Sequence, residues 1–445
     1  MSTDNAHSGW LDPASAKLLF QIDALEPAFK ALLQNLIGFK SVSGNEGPLV
    51  RFVAEWAQSA GFDIDIWQAD DVALAAQYPM AAARHLSLAN RPTLVIRSPG
   101  AGSGPSLFFN AHSDVVPVPD AALWRDGPWS GTFRDGRVYG RGACDDLGPL
   151  VCGLWAMTAI ARSYGRLPGD VALELVPGEE DCVGLGTLTS LARGYIPDAS
   201  IVLEPTDGQP RCASRGGYRF QIVARGRAVH GTVKWLGKDA IATMRLILSV
   251  LEEIERDWND READRLFAAY PIMRPITVDR VDGGAWQGMV ADRCVCAGYL
   301  ELLPGDDPET WRKRFADEVQ SRLMALAGAS SGISAADVEV DTLEQYDGHC
   351  TPTGHALCRA AQMAMTSPGR RSHWQQWSGW SAFNSGCEAG LRPRLCGTPT
   401  LVWGPGSLDQ AHAADEFVDW PRVHAAAADM AATAAVWCSG RNESL

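Results

Sequence analysis

Hydrophobic residues in the first half of the chain follow helical and strand spacing in turn. Helical spacing predicts a helix over residues 27–37, which the segment 41–44 (Ser-Val-Ser-Gly) ends, and a second helix near 49–58. Short apolar runs then predict buried strands at 107–109, 171–176 and 200–203. Strands that alternate with helices indicate a largely parallel sheet.

A different order of elements begins after Arg215. The pattern predicts strands at 218–224, 276–281, 294–302 and 338–343, and helices at 238–256 and 308–326. In the first of these helices one buried face is predicted for Ile241, Met244, Leu248 and Leu251. We therefore predict a discontinuous α/β catalytic domain with a mostly parallel sheet, residues 1–214 and 345–445, and an inserted α+β (βαββαβ) domain, residues 215–344. A chain of 445 residues also favours two domains.

Histidine and acidic residues stand in five short segments, three of which follow the predicted strands. The segments are 110–114, 140–146, 178–181, 203–205 and 410–412. Taken alone, a histidine after a strand or a pair of glutamates has an ordinary structural explanation. Ligands at the carboxyl ends of several strands, however, meet in one crevice. Two histidines and three carboxylates suffice for two zinc ions that share one carboxylate, with cobalt or manganese as substitutes. Such a pair can hold a hydroxide and polarise a carbonyl, which is the chemistry of amide hydrolysis.

Neighbouring residues have separate physical roles in this prediction. Asp114 follows His112 by two positions in an extended segment, so it projects to the same face and can accept the second ring proton. Asp145 and the adjacent Asp146 would repel each other in a crevice unless a cation neutralises them. Glu179 and Glu180 point apart, so one can bind metal while the other transfers protons beside it.

These segments resemble the co-catalytic zinc hydrolase family that contains acetylornithine deacetylase, succinyl-diaminopimelate desuccinylase, aminoacylase and glutamate carboxypeptidase. The resemblance runs from about Leu33 to Val418, with the motifs in the family's order. It implies His112 and Glu204 as ligands of one metal and Asp145 as the bridging ligand. It implies Glu180 and His412 as ligands of the second metal. Glu179 then corresponds to the general base and Asp114 to the carboxylate that orients the ring of His112.

The resemblance also gives the inserted domain a role as a lid and dimerisation domain. The segment 225–231, Arg-Gly-Arg-Ala-Val-His-Gly, matches a family motif whose histidine reaches the neighbouring active site. His230 is thus a candidate catalytic residue that stabilises the developing oxyanion across a homodimer. The alternative is a loop histidine that caps a turn.

Both similarities to the family and departures from it bear on the identity of the substrate. Residues 404–416 and 387–389 resemble acetylornithine deacetylases. The chain departs from the family at Gly288, where many members have Asn, at Leu147, where Lys is usual, and at Glu301, where an arginine often binds the substrate carboxylate. We expect either another cation, such as Arg215 or Arg293, or a substrate that is neutral or cationic at that end.

The predicted activity is hydrolysis of an amide C–N bond in a small N-acyl amino acid or peptide-like compound, by metal-bound hydroxide with Glu179 as the base. One alternative is a metal-dependent deaminase, dipeptidase or carboxypeptidase that acts on an aromatic or atypical substrate. The regular spacing of Trp374, Trp377 and Trp380 indicates either a packed face or an aromatic pocket. A second alternative is a silent binding homologue, which the intact ligand set and Glu179 argue against.

Composition narrows the partners and the compartment. The net charge of −14 disfavours nucleic acid and anionic membranes. The sequence lacks an apolar run of membrane-spanning length and a recognisable signal peptide. Its eleven cysteines form no C-x-x-C pair and suggest reduced thiols. We therefore expect a cytoplasmic protein that acts on a small molecule.

Overall fold

A computed structural model describes residues 13–78, 81, 87–182, 184–260, 264–327, 332–367, 370–371 and 375–440. The chain divides into two compact units. The first unit comprises Met1–Ala213, His349–Phe383 and Cys387–Leu445, and the second comprises Ser214–Gly348 with Asn384–Gly386. No helix among the described residues is long and apolar enough to cross a membrane.

The regular elements are numbered in chain order. The helices are α1 Pro13–Ile37, α2 Gly47–Ser59, α3 Asp71–Gln77, α4 Leu147–Tyr164, α5 Glu179–Cys182, α6 Leu185–Ala192, α7 Ala240–Asn259, α8 Pro308–Ala327, α9 Ala356–Thr366, α10 Leu391–Cys396 and α11 Trp420–Cys438. The strands are β1 Asp63–Trp67, β2 Thr93–Ser98, β3 Leu107–His112, β4 Thr132–Arg134, β5 Arg137–Tyr139, β6 Val171–Val176, β7 Ala199–Val202, β8 Ala213–Ser214, β9 Gly216–Arg225, β10 Ile276–Gly283, β11 Arg293–Leu302, β12 Val338–Tyr346, β13 His349–Cys350, β14 Ala382–Phe383, β15 Thr400–Val402 and β16 Phe417–Asp419. Turns of 3-10 helix cover Ala121–Leu123, Gly231–Leu236, Ala335–Asp337 and Glu388–Gly390.

The central sheet of the first unit has the strand order β1-β2-β6-β3-β7-β15. Strand β3 pairs in parallel with β6 and β7, and β7 pairs in parallel with β15. Strands β1 and β2 add an antiparallel edge. Every residue of β3, β6 and β7 is buried, as expected for strands covered on both faces. The predicted mixed α/β fold with a mostly parallel sheet is confirmed.

Helix α1 is longer than the sequence pattern predicts. It begins at Pro13 rather than near residue 27 and continues through Pro27. Its apolar face extends upstream through Leu18, Ile22 and Leu25, which are all buried. Farther along, Phe29 stacks on Trp155 of α4 with ring centroids 5.3 Å apart. Burial of this extended face offsets the backbone hydrogen bond that an interior proline removes.

The second unit contains an antiparallel sheet with the order β10-β11-β9-β12. With α7 and α8 the chain order is βαββαβ, as the pattern predicts. The prediction for Ile241 is wrong, because this side chain is 49% exposed whereas Met244 and Leu251 are buried. Ala240, the first helical residue, occupies the inward position instead, and Ile241 is rotated one residue further around the helix.

Candidate metal centre

The predicted ligands of the first unit meet at one end of the central sheet. His112 is the last residue of β3, Glu204 lies two residues beyond β7, and Glu179 opens α5 after β6. Donor atoms of His112, Asp145 and Glu180 lie within 4.8 Å of one another, and so do donor atoms of His112, Glu179 and Glu204. His412 joins them from the segment before β16. All five segments therefore converge, three of them from the carboxyl ends of parallel strands.

Asp145 lies between the two histidines. Its Oδ1 is 3.0 Å from Nε2 of His112, and its Oδ2 is 3.5 Å from Nε2 of His412. The same nitrogen of His412 lies 3.2 Å from Oε1 of Glu180. Donor atoms around a tetrahedral zinc ion are about 3.3 Å apart, given bonds of roughly 2.0 Å. The separations and the nitrogen and oxygen donors fit two such ions with Asp145 as a shared ligand.

The charges of the cluster require positive partners. Burial would raise the pKa of Asp145, but hydrogen bonds with His112 and His412 outweigh it and lower that pKa. For Asp146 and Glu204 burial and the nearby charge of Asp145 raise the pKa well above the usual range. Hydrogen bonds to Asp145 and Glu180 raise the pKa of His412 to about 10. The raised pKa values reflect in part the concentration of negative charge in the cluster, which a divalent cation would partly neutralise.

Asp114 holds the ring of His112 differently from the prediction. Nδ1 of His112 lies 2.8 Å from the main-chain carbonyl oxygen of Asp114 and 3.7 Å from its carboxylate Oδ1. Because a carbonyl only accepts, Nδ1 carries a ring hydrogen, so Nε2 is the nitrogen that would bind a metal after losing its own proton to do so. The carboxylate instead accepts main-chain hydrogen bonds from Gly178, Glu179 and Glu180. The carbonyl takes the predicted role because the chain turns after β3.

Glu416 is a buried residue of the site for which the sequence pattern predicted no role. Its Oε1 accepts hydrogen bonds from the main chain of Cys144 at 2.8 Å and of Asp145 at 3.1 Å. Its Oε2 accepts from Nη1 of the buried Arg141 at 2.5 Å. Burial raises the pKa of Glu416 to about 7, against the effect of Arg141. Glu416 thus fixes the loop of the shared ligand, and its position four residues after His412 was the available signal.

A second polar network lies beneath the cluster. Asn110, two residues before His112, donates to Thr187 at 2.9 Å and to Glu174 at 3.1 Å. The hydroxyl of Thr187 donates to Glu388 at 2.9 Å. Burial raises the pKa of Glu388 to about 7. The segment 387–389, noted only for its resemblance to deacetylases, therefore supports the buried side of the site.

His230 belongs to the second unit and is exposed. Its Nδ1 accepts a hydrogen bond from the main-chain N–H of Thr232 at 3.3 Å and lies 2.8 Å from the side-chain hydroxyl of the same residue. His230 therefore caps the 3-10 turn that follows. This is the capping arrangement considered as the alternative. It leaves Nε2 with the ring hydrogen.

Glu301 and Arg215 are engaged within the second unit. Glu301 is 3% exposed, and Tyr346 donates its hydroxyl to it at 2.9 Å. Burial raises the pKa of Glu301 to about 7. Arg215 donates to the carbonyls of Asn384 at 2.5 Å and Ile272 at 2.7 Å. Arg215 is therefore held by main-chain carbonyls of the second unit and is only 4% exposed, whereas Arg293, the other candidate for a substrate cation, is exposed.

The remaining residues that the sequence analysis singled out lie in different structural environments. Leu147 is buried and begins α4. Gly288 has a φ of +84°, a conformation that glycine adopts without strain. Trp377 and Trp380 pack edge to face with centroids 5.7 Å apart, whereas Trp374 lies outside the described residues.

Comparison with known proteins places these features in a family. Residues 108–437 match the model of peptidase family M20/M25/M40. The chain is 25% identical over 430 residues to the N-formyl-4-amino-5-aminomethyl-2-methylpyrimidine deformylase of Halalkalibacterium halodurans, covering 90% of this chain and 92% of that protein. It is 25% identical over 403 residues to the acetylornithine deacetylase of Photorhabdus laumondii subsp. laumondii, covering 88% and 93%.

A solved structure agrees with the fold. The di-peptidase Dug1p of Saccharomyces cerevisiae superposes with a TM-score of 0.73 at 16% identity, over 95% of this chain and 98% of that one. The family match covers most of the chain and includes each of the clustered ligands. The chain is therefore a member of peptidase family M20/M25/M40, a hydrolase that acts on amide bonds of small acyl-amino compounds or peptides.

Proposed function

We propose that the protein is a two-zinc amidohydrolase that removes the acyl group from a small N-acyl amine. The observation that carries this proposal is the position of Asp145, with one carboxylate oxygen toward His112 and the other toward His412. A carboxylate that faces two histidines in this way suits an ion on each side. Hydrolysis then yields a carboxylic acid and a free amine.

The ligands divide into two sets around Asp145. His112 and Glu204 would hold one ion, and His412 and Glu180 would hold the other. When bound, two such metal ions would activate water as a nucleophile and polarise the carbonyl oxygen of the scissile bond. The main-chain carbonyl of Asp114 keeps His112 in the tautomer that this role requires.

Glu179 is the proposed general base. It stands next to a proposed ligand, Glu180, and its carboxylate lies within 4.8 Å of donor atoms of His112 and Glu204. Burial, opposed by His112 and assisted by the charge of Glu180, raises its pKa well above the usual range. A carboxylate of this kind can take a proton from the attacking water and deliver it to the leaving nitrogen.

We propose that the enzyme does not require its substrate to carry a carboxylate next to the scissile bond. Glu301 stands where an arginine is common, and Arg215 donates to main-chain carbonyls. The similarity to a deformylase of an aminopyrimidine favours an aromatic amine product. Trp377 and Trp380 offer an aromatic surface, and the indole N–H of Trp377 has no hydrogen-bond partner among the described residues. Hydrolytic deamination and dipeptide cleavage remain alternative predictions.

We further propose a homodimer formed through the second unit. Its segment 229–236 pairs with 284–290 through Gly231 and Gly288, which share a hydrogen bond of 2.7 Å. Exposed apolar side chains cluster on these segments and on the start of α7: Trp235, Leu236, Ile241, Trp286 and Met289. A patch of several large, exposed apolar side chains indicates a protein interface. His230, at its edge, would present Nε2–H to the oxyanion in the partner's site.

Cytoplasmic location is also part of the proposal. The ten cysteines that the structure describes form no disulfide with one another and eight of them are buried, which suits a reducing compartment. The net charge of −14 continues to favour a small-molecule substrate over nucleic acid or an anionic membrane surface.

Zinc added to the metal-free protein is expected to bind at two ions per chain and to release protons. His412, with a pKa of about 10, carries a proton at neutral pH that it must lose to bind metal. Apparent affinity should therefore rise with pH below that value. Elemental analysis and calorimetry in buffers of different ionisation enthalpy measure both effects. The matched control is His412→Ala, which should keep one ion. A zinc content well below one per chain in the unmodified protein would contradict the proposal.

Replacing the proposed base should separate catalysis from metal binding. Glu179→Gln is expected to lower kcat by about 10²–10⁴-fold while zinc content stays unchanged. Glu180→Gln, the adjacent control, should instead lose zinc. Steady-state kinetics with parallel metal analysis decides the roles. If Glu179→Gln retained full kcat, the base would be misassigned.

Substrate preference is expected to show little dependence on a free carboxylate. A bidentate arginine contact is worth about 1.5–3 kcal/mol, or roughly 10–150-fold in kcat/KM. An N-acetyl amino acid and its carboxamide should therefore differ by less than about tenfold in kcat/KM, and N-formyl aromatic amines should be hydrolysed. The measurement is amine release across this panel, with ammonia assayed in parallel. A strong preference for the free acid that survives Arg293→Ala would overturn the expectation, and ammonia release would favour the deaminase alternative.

Two inactive variants should complement each other if His230 acts across the dimer. Mixed dimers of Glu179→Gln and His230→Ala contain one site with both residues intact. Refolded or co-expressed mixtures should recover up to roughly a quarter of the unmodified activity, because half of randomly paired dimers are mixed. Sedimentation velocity should show the dimer mass for both variants. A monomer, or a mixture without recovery, would refute this role.

A further inference from the structure

Asp114 connects several parts of the centre through one buried residue. Its carboxylate Oδ1 accepts from the main-chain N–H of Gly178 at 2.8 Å and of Glu179 at 3.2 Å, and Oδ2 accepts from Glu180 at 3.1 Å. Its main-chain carbonyl holds His112. A displacement of Asp114 would therefore move a ligand of each proposed ion and the proposed base together.

The carboxylate of Asp114 is completely buried and has a guanidinium group behind it. Nη2 of Arg91 lies 3.8 Å from Oδ2 of Asp114, and Ser43 donates its hydroxyl to the same oxygen at 3.1 Å. A buried carboxylate without a positive partner is costly. Arg91 thus offsets part of the charge that Asp114 brings into the interior.

Arg91 is itself fixed by Glu46. Its Nε donates to Oε1 of Glu46 at 2.8 Å, and Nη2 lies 2.6 Å from the same oxygen. Both side chains are almost fully buried, with 4% of Arg91 and none of Glu46 exposed. Glu46 also accepts from the main chain of Gly44 at 3.0 Å, which ties it to the loop before α2. The charges alternate from Asp114 through Arg91 to Glu46.

We propose that Arg91 and Glu46 are positioning residues of the metal centre, which act through Asp114. Neither residue lies in the five ligand segments: Glu46 immediately precedes α2, and Arg91 lies two residues before β2. Loss of the Arg91 charge leaves the carboxylate of Asp114 buried without its cation, so it is no longer held in the position from which it accepts from residues 178–180. The hydrogen bonds to these residues are then weakened. The inference rests on the proposed function for its catalytic consequence, but not for its structural one.

The test compares three variants with one control. Arg91→Met removes the charge, Arg91→Lys keeps it, and Glu46→Gln keeps the shape of the acid while removing its charge. Arg370→Met is the control, because Arg370 forms another buried ion pair, with Asp429, at side-chain exposures of 6% and 4%. Each protein is examined in full length for thermal unfolding, zinc affinity by chelator competition, kcat and KM, and hydrogen exchange of the peptide that contains residues 178–182 in the metal-free state.

Arg91→Met is expected to lose 10–100-fold in zinc affinity and in kcat, the usual range for residues that support ligands, with a smaller change in KM. Exchange at residues 178–180 should accelerate, and Arg91→Lys should restore part of each loss. Glu46→Gln should change the same quantities in the same direction. Arg370→Met should lower the unfolding temperature without changing zinc affinity or exchange at 178–180.

Equal zinc affinity and equal exchange in Arg91→Met and the unmodified protein would overturn the proposal. A loss of zinc affinity in Arg370→Met as large as that in Arg91→Met would also overturn it, since the effect would then be general destabilisation. If Arg91→Met fails to fold, Glu46→Gln decides, and unchanged exchange and affinity in that variant count against the proposal. If the amide hydrolysis itself is absent, exchange in the metal-free protein still tests the positioning role.

Discussion

Electrostatic repulsion among buried carboxylates is the constraint on which the first unit depends. Asp114, Asp145, Asp146 and Glu204 are all buried at one end of the central sheet. Two like charges 4 Å apart repel by about 4 kcal/mol at the effective dielectric constant of a protein near its surface. The fold can keep such groups together only if hydrogen-bond donors, buried cations and the proposed metal ions stabilise them. The main features of the site supply this stabilisation.

Hydrogen-bond donors and buried cations stabilise these carboxylates from two sides of the site. Asp145 receives hydrogen bonds from both histidines, and Glu416 with Arg141 fixes the main chain that carries it. On the other side, Asp114 organises the start of α5 with Arg91 behind it. Helix α5 spans only four residues, so capping by a carboxylate contributes a large share of its order. Positions of the ligands and of the proposed base are thereby set by one connected network rather than by separate loops.

The sequence predicted the parts of this arrangement that depend on local pattern. Buried strands end before His112, Glu179 and Glu204, and the carboxyl ends of parallel strands meet, so the convergence of these residues followed from hydrophobic spacing and sheet geometry. The ring partner of His112 did not follow, because a two-residue spacing cannot distinguish the carbonyl of Asp114 from its carboxylate. Contacts such as Glu46 with Arg91 join segments 45 residues apart, and no local pattern encodes that pairing.

Two other differences have the same origin in tertiary structure. The outward position of Ile241 depends on where α7 begins, which the cap at Asp239 decides, and helical periodicity tolerates either start. The burial of Glu301 against Tyr346 converts an apparent substitution in the substrate pocket into an internal contact of the second unit. In both cases the residue type could be read from the sequence, whereas the exposure of Ile241 and the contact of Glu301 depend on the folded structure.

The central claim is that Asp145 is shared by two metal ions. Anomalous diffraction at the zinc edge from zinc-loaded crystals tests it most directly. Two peaks are expected, one on each side of Asp145: the first beside His112 and Glu204 and the second beside His412 and Glu180, with Glu179 outside both coordination spheres. A single peak, or two peaks that do not share Asp145, would contradict it.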